Sequence, residues 1–297
     1  LKQLRYFEAL TRQGHFGRAA EVCAISQPAL SVQIRDMEES LGLVLFERGA
    51  RQVRLTAFGE EFAHRVRPIL RAVDELGELA RAAQDQLVGR LRLGVIPTIA
   101  PYLLPGLIGA LASRYDGLDI HVRETVTPKL IDELSDGRLD LAIVALPISE
   151  PSFQETTLFT ENLVLVRPEG QGAAPVPDAE ALGDMRLLLL EEGHCFRDQA
   201  LSFCSLHSSG RRDGLDASSL STLVQMVGAG IGVTLIPEMA VPVETRSAAV
   251  AVSRFRGAQP MRTVGMIWRK TNPMAPQLEE LSTVVRAAAD GIRGVQP

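Results

Sequence analysis

Residues 24–42 read Ala-Ile-Ser-Gln-Pro-Ala-Leu-Ser-Val-Gln-Ile-Arg-Asp-Met-Glu-Glu-Ser-Leu-Gly, and the N-terminal fold is decided there. Ser26 is a good N-cap, and Pro28 fits the first turn of the helix it opens. Leu30, Ile34, Met37 and Leu41 recur at spacings of four, three and four, which makes one stripe of that helix apolar. Pro28, Ser31, Val32 and Arg35 lie on the opposite face with Gln27 on its flank, and Gly42 ends the helix. Upstream, residues 4–10 and 16–23 form two short amphipathic helices, and Ala19 and Ala20 let the second pack closely. Two helices joined by a tight turn, the later one with a short polar face, make a helix-turn-helix. Its recognition helix is shaped for a DNA major groove.

Downstream, Leu45-Phe46-Glu47-Arg48 leads into Arg51-Gln52-Val53-Arg54-Leu55, which alternates like a strand of a small wing. Net charge is −5, which argues against a protein coated in nucleic acid. Residues 1–56, however, hold eight Lys/Arg against six Asp/Glu, leaving −7 for the rest. Arg48, Arg51 and Arg54 form a local footprint for phosphates. Thr56 caps the next helix, expected over 57–87. Phe62, Val66, Ile69, Val73, Leu76, Ala80, Ala83 and Leu87 make a heptad seam there, the pattern of two helices pairing, and Pro68 bends it.

The remaining two hundred residues alternate strand and helix. Strands are expected at 90–96, 118–123 and 139–146, with helices at 101–115 and 128–134 between them. This βαβαβ order implies a parallel sheet covered by helices. A second series runs through a strand at 187–190, a helix from Cys195, a strand near Leu215, a helix at 220–227 and a strand at 232–236. An apolar strand at 263–268 and a final helix carrying Leu278, Leu281, Val285, Ala288 and Ile292 complete it. Two α/β lobes fit the pattern, and such folds collect functional groups at the carboxyl ends of strands, where Thr98, His194 and Cys195 fall.

The chain has three cysteines, and two of them, Cys195 and Cys204, sit nine residues apart. On the residues alone they are either core thiols of an amphipathic helix or an attacking and a resolving cysteine. His194 and Arg197 flank the first, and neighbouring positive charge favours the reactive thiolate. Cys23, at the end of a small-residue helix, reads as core. Three cysteines do not make a disulfide scaffold. No window holds the roughly eighteen uninterrupted apolar residues of a membrane span. The opening Leu-Lys-Gln-Leu-Arg has no apolar signal-peptide core, so a reducing, cytoplasmic setting is expected.

Ser26-Gln27-Pro28-Ala29-Leu30-Ser31, Leu45-Phe46-Glu47-Arg48 and Leu55-Thr56 together resemble the LysR-type transcriptional regulators. The resemblance implies a winged helix-turn-helix over 1–57 and a linker and dimerisation helix over 58–88. A regulatory domain of two periplasmic-binding-protein-like lobes would then cover 89–297: lobe I about 89–162 and 266–297, lobe II about 163–265, with crossovers near 161–166 and 263–268. Within the family, Ile96-Pro97-Thr98, Pro101-Tyr102-Leu103-Leu104-Pro105 and Gly193-His194-Cys195-Phe196-Arg197-Asp198-Gln199-Ala200 with Phe203-Cys204 resemble the hydrogen-peroxide sensors. That implies Cys195 as peroxidatic and Cys204 as resolving cysteine. It also implies a peroxide pocket of Thr98, Thr127, His194, Gln199, Arg197 and Arg262. Gln27, Pro28, Ser31, Arg35, Arg48, Arg51 and Arg54 would contact double-stranded promoter DNA. The expected partners are other copies of the chain, as a dimer and then a tetramer, and RNA polymerase. Peroxide is expected as a signal rather than a cofactor, with no metal and no enzymatic turnover.

If 195–206 is helical in the dithiol form, nine residues of helix separate the two cysteines by about 13 Å of rise. A disulfide needs Cα atoms within about 7 Å, so the segment must unwind before the bond closes. Two positions depart from the family pattern: Val32 where a polar or basic groove residue is common, and Phe196 where Leu is expected. Val32 shifts weight from base contacts towards DNA shape. Three other functions are weighed. A LysR-type regulator of a small metabolite would bind DNA regardless of peroxide. A thiol peroxidase would turn peroxide over continuously, and a periplasmic solute receptor would need a signal peptide.

Overall fold

The structure, a computed structural model, describes residues 1–48, 53–82, 87–173, 175–177, 182, 185–203, 216–255 and 259–293. The chain forms two units, Leu1–Ala80 and Arg81–Pro297.

In the first unit, α1 (Lys2–Gln13) buries Phe7 and Leu10 and stops at Gly14, whose φ of 57° is one that glycine adopts without strain. His15 caps α2 (Phe16–Val22), its Nδ1 accepting from the Gly17 N–H at 3.0 Å. Ser26 caps α3 (Gln27–Leu41), its Oγ accepting from the Ala29 N–H at 3.3 Å, and Gly42 ends that helix at φ 68°. Strands β1 (Phe46–Arg48) and β2 (Val53–Leu55) form the expected wing, with Phe46 opposite Leu55. The Glu38 carboxylate, unremarked in the sequence, accepts from the N–H groups of Leu45 (2.8 Å) and Phe46 (3.2 Å), tying the end of α3 to the wing. Thr56 caps α4 (Ala57–Ala82) by accepting from the Gly59 N–H at 2.9 Å.

The seam expected along 57–87 is divided. Phe62 and Val66 pack into the headpiece itself, where the Phe62 ring meets Phe7 edge-on at 5.1 Å and Phe7 in turn meets Phe46 at 5.2 Å. A small three-helix head needs this fourth helix to cover its aromatic core. Ile69 (50 % exposed) and Leu76 (66 %) do stand outside that core, joined by Leu79 (58 %). Ala83 and the Ala80 side chain lie outside the described residues, and Leu87 is buried in the core of the second unit instead.

The second unit is built on a mixed sheet in the order β10-β6-β11-β5-β3-β4, with β9 also on β6. Strands β3 (Gly89–Val95), β4 (Leu118–Glu124) and β5 (Leu141–Leu146) are parallel, joined through α5 (Ala100–Arg114) and α6 (Thr127–Ser135) as expected. The sequence reading missed the extent of β6 (Phe153–Pro168), sixteen residues long. Its first part pairs antiparallel with β11 (Met261–Arg269), and from Leu163 it pairs with β9 (Thr234–Pro237) and, further on, β10 (Val250–Ser253). The outward crossing therefore falls at Asn162–Leu163. The return precedes the expected 263–268, at Pro260–Met261, because Thr263–Ile267 is already paired with β5. There the Leu163 N–H donates to the Pro260 carbonyl at 2.7 Å. Beyond the crossing, β7 (Leu189–Leu190) pairs parallel with β8 (Asp216–Ala217), flanked by α7 (Cys195–Phe203) and α8 (Leu220–Gly228). The short α9 (Val241–Glu244) follows β9, and α10 (Ala275–Arg293) packs on α5.

Candidate functional site

Of the residues expected to face the groove on α3, Gln27, Pro28, Val32 and Arg35 are exposed and Ser31 is half-buried. Arg54 is exposed on β2. Arg51 and the Arg48 side chain lie outside the described residues.

In the second unit, β7 ends at Leu190 and the chain turns through Gly193, whose φ of 94° favours glycine, into α7. Cys195 is the first helical residue, a free thiol, half-buried against the apolar core. Cys204, and any helix beyond Phe203, lies outside the described residues. Phe196, Arg197 and Ala200 form the buried side of the helix. Arg197 is committed to the neighbouring strands: its guanidinium donates to the Leu190 carbonyl at 2.6 Å and pairs with Asp216 at 3.0 Å. It thereby ties the start of α7 to β7 and β8.

A buried polar hub lies at the strand crossings. The Arg262 side chain is fully buried and that of Glu161 is 2 % exposed, and they pair at 2.8 Å. Arg262 Nη1 donates to Thr98 Oγ1 at 2.8 Å and Nη2 to the Thr98 carbonyl at 3.0 Å. The other Glu161 oxygen accepts the Met239 N–H at 3.0 Å. The Phe196 ring covers the guanidinium, 5.7 Å from its centroid. Neither Glu161 nor Phe196 stood out as a site residue in the sequence. The one visible hint at Glu161 is an acid opening the apolar run Leu163-Val164-Leu165-Val166.

Thr98 and His194 share a cavity of about 270 Å³, lined also by Tyr102, Glu124, Ser219 and Glu244. The Tyr102 hydroxyl donates to Glu244 at 2.7 Å; burial, and then that carboxylate, push its pKa well up. Burial pushes the pKa of His194 below the ordinary imidazole value, with Glu191 acting in the opposite sense. Gln199, one turn after Cys195, lines a separate opening of about 430 Å³ with Ser202, Phe203, Leu163, Pro260 and Met261. The structure therefore joins Thr98 directly to Arg262 and places His194 beside Thr98. Cys195, Arg197 and Gln199 share one helix, and Thr127 opens α6, next to Val126 in the wall of the Thr98–His194 cavity. Thr127 Oγ1 and Gln199 Oε1 are buried without a hydrogen-bond partner among the described residues. Those residues contain no cluster of three His, Cys, Asp or Glu suited to a metal ion. No helix among them is long and apolar enough to cross a membrane.

Two family models match the chain: the bacterial regulatory helix-turn-helix protein, lysR family, over residues 1–60, and the LysR substrate binding domain over residues 84–290. A probable hydrogen peroxide-inducible genes activator of Streptomyces viridosporus is 44 % identical over 292 residues, covering 97 % of this chain and 94 % of the relative. The DNA-binding transcriptional dual regulator OxyR of Escherichia coli is 39 % identical over 294 residues, covering 98 % and 96 %. Among solved structures, a full-length OxyR variant from Pseudomonas aeruginosa superposes with a TM-score of 0.74 at 38 % identity, covering 96 % of this chain and 94 % of that one. A peroxide-bound cysteine mutant of Corynebacterium glutamicum OxyR gives 0.69 at 33 % identity, covering 98 % and 92 %.

Proposed function

We propose that this chain, which belongs to the lysR family of bacterial regulatory helix-turn-helix proteins and to its OxyR branch, senses hydrogen peroxide through Cys195 and Cys204 and reports it to promoter DNA. The observation that carries the reading is the free Cys195 thiol at the start of α7, in a chain aligned end to end with peroxide-inducible activators. The Cys195 thiolate attacks one peroxide oxygen; the O–O bond breaks, and hydroxide leaves and takes a proton to become water. Cys195 then carries S–OH. The Cys204 thiol attacks that sulfur, the S–S bond forms and the S–O bond breaks, and a second water carries off the Cys204 proton. Two electrons pass from the sulfur pair to peroxide.

In this reading Thr98, Thr127, His194, Gln199 and Arg262 hold and polarise peroxide. The unpartnered oxygens of Thr127 and Gln199 and the Arg262–Thr98 bond support those roles. Arg197 acts by anchoring the helix rather than by touching peroxide, since Leu190 and Asp216 already engage it. Exposed Ile69, Leu76 and Leu79 on α4 support dimerisation through the linker helix over 58–88, leaving 1–57 to read DNA and 89–297 to sense. A tetramer in the cytoplasm that contacts RNA polymerase completes the proposal. The oxidised state is itself the signal, so the protein is not an enzyme.

The test joins mass spectrometry after stoichiometric peroxide to DNA footprinting. A Cys195–Cys204 linkage with a changed footprint, both lost in Cys195→Ser, is expected. Equal footprints from the reduced and oxidised protein would count decisively against the reading. A footprint that changes with peroxide in Cys195→Ser would do the same.

A further inference from the structure

Disulfide closure is a problem of direction as well as distance. In a helix every Cα–Cβ bond tilts towards the N-terminus. Cys195 is the first residue of α7, and Cys204 follows the last, Phe203. The Cys195 Cβ therefore points away from the body of α7, whose eight residue steps already put Phe203 about 12 Å along the axis, and a disulfide that needs Cα atoms within about 7 Å cannot close without backbone movement. Re-aiming Cys195 changes its φ and ψ and unwinds the first turn, which drags its covalent neighbour, Phe196.

Phe196 is the residue least free to follow. It is 2 % exposed and sits in the continuous apolar core of the unit. Its ring covers the Arg262 guanidinium, whose donors engage Thr98 and Glu161 at its edge. A desolvated cation over an aromatic face is held more firmly than an exposed one. Glu161 lies on β6, which changes partners at Asn162–Leu163, Arg262 lies opposite it on β11 just after the return at Pro260–Met261, and Glu161 also accepts the Met239 N–H just beyond β9.

We infer that the Phe196 ring on Arg262 is the latch of the redox switch: it holds Cys195 in its helical, dithiol position, and disulfide closure must lift it off the buried ion pair. This rests on the peroxide-sensing reading and adds a positioning residue to it. Withdrawal of the ring opens one face of the Arg262–Glu161 hub, so oxidation of one sulfur is felt at both strand crossings. The opposite end of α7 offers the competing route. There Phe203 packs edge-on against Phe255 at 4.9 Å, and unwinding that end alone would leave Phe196 seated.

The experiment uses the full chain in a Cys23→Ser background. Phe196 is replaced by phenylalanine carrying one, two or three ring fluorines, which keep the shape and weaken the negative face, and separately by Phe196→Leu. After a peroxide pulse, dimedone trapping and mass spectrometry follow Cys195 sulfenic acid and the Cys195–Cys204 disulfide as separate steps. Closure is expected to accelerate with each fluorine, reaching roughly 3- to 30-fold in the leucine variant, the range a cation–π contact spans between exposed and desolvated settings. Closure rates equal within two-fold across the fluorinated series overturn the latch. So does acceleration by Phe255→Leu with none from Phe196 fluorination, which assigns the movement to the other end.

A parallel arm drives closure with diamide, which takes two electrons from the dithiol and is itself reduced to a hydrazine. If peroxide never modifies Cys195, the sensing reading falls. The diamide arm still decides the latch by the same fluorine dependence.

Discussion

Replacing Arg262 by leucine leaves Glu161 as an uncompensated buried carboxylate. It loses both 2.8 Å contacts from the guanidinium and keeps only the Met239 N–H. Thr98 loses a donor to its hydroxyl and another to its carbonyl. Breaking one partner of a buried pair costs about 3–5 kcal/mol, because the remaining charge stays desolvated. For a unit of this size each kcal/mol lowers the melting temperature by about 2–4 °C, so Arg262→Leu is expected to melt roughly 6–20 °C earlier. Trp268, the chain's single tryptophan, is buried on the same strand and reports the transition by fluorescence. The double variant Arg262→Leu/Glu161→Leu removes the orphaned charge and is expected to regain most of the loss, since well-packed apolar replacement of a buried pair is often neutral or better. A single variant destabilised by less than about 1 kcal/mol, or a double variant as unstable as the single, refutes the reasoning. It would place the value of Arg262 in its bonds to Thr98 rather than in its charge.

His194 yields a pH test. Burial holds its folded pKa below the ordinary 6.5, so the folded unit resists protonation; this contribution to stability is complete above 6.5 and is lost progressively as pH falls below it. Urea midpoints measured from about pH 8 to about pH 5 should therefore fall on the acid side in the wild type and fall less in His194→Gln. In α4, Ile69→Glu with Leu76→Glu exposes no new core and should weaken dimerisation by roughly ten-fold or more in sedimentation, since each apolar side chain fully buried at an interface is worth about 1.5–3 kcal/mol. An unchanged dimer would mean that another surface carries it. Gly59→Ala would bring a Cβ to 2.1 Å from the Leu45 carbonyl oxygen, a backbone atom that cannot simply turn aside. About 1–3 kcal/mol of headpiece stability should go, and DNA affinity with it. Peroxide-driven disulfide formation in the separate regulatory unit should persist, and its loss would contradict that independence.

The recognition helix was legible because its signals are local. Ser26, Pro28 and Gly42 act within a turn of themselves, and the apolar stripe needs only a helical period. The seam on α4 shows where such reading stops. A 3–4 spacing looks the same whether a helix covers its own domain or a second copy, and only the Phe7–Phe62 contact reveals that the first turns serve the headpiece. Strand β6 escaped for a related reason. Its first half is half-solvated and its second half almost wholly buried, so it presents no single alternation. Cys195 and Cys204 announce themselves by spacing, and Thr98 by the turn after β3. What organises them does not, because Thr98, Glu161, Phe196 and Arg262 are distant in the chain and meet only where strands exchange partners. On the proposed reading, the same geometry lets oxidation at Cys195 act beyond α7. A core thiol shielded by aliphatic side chains would register oxidation as a local repacking. Cys195 is covalently adjacent to the ring that covers the buried Arg262, and Arg262 is paired with Glu161 on β6, the strand that changes partners between the two halves of the sheet. Strain at the sulfur has a short, stiff path to that crossing.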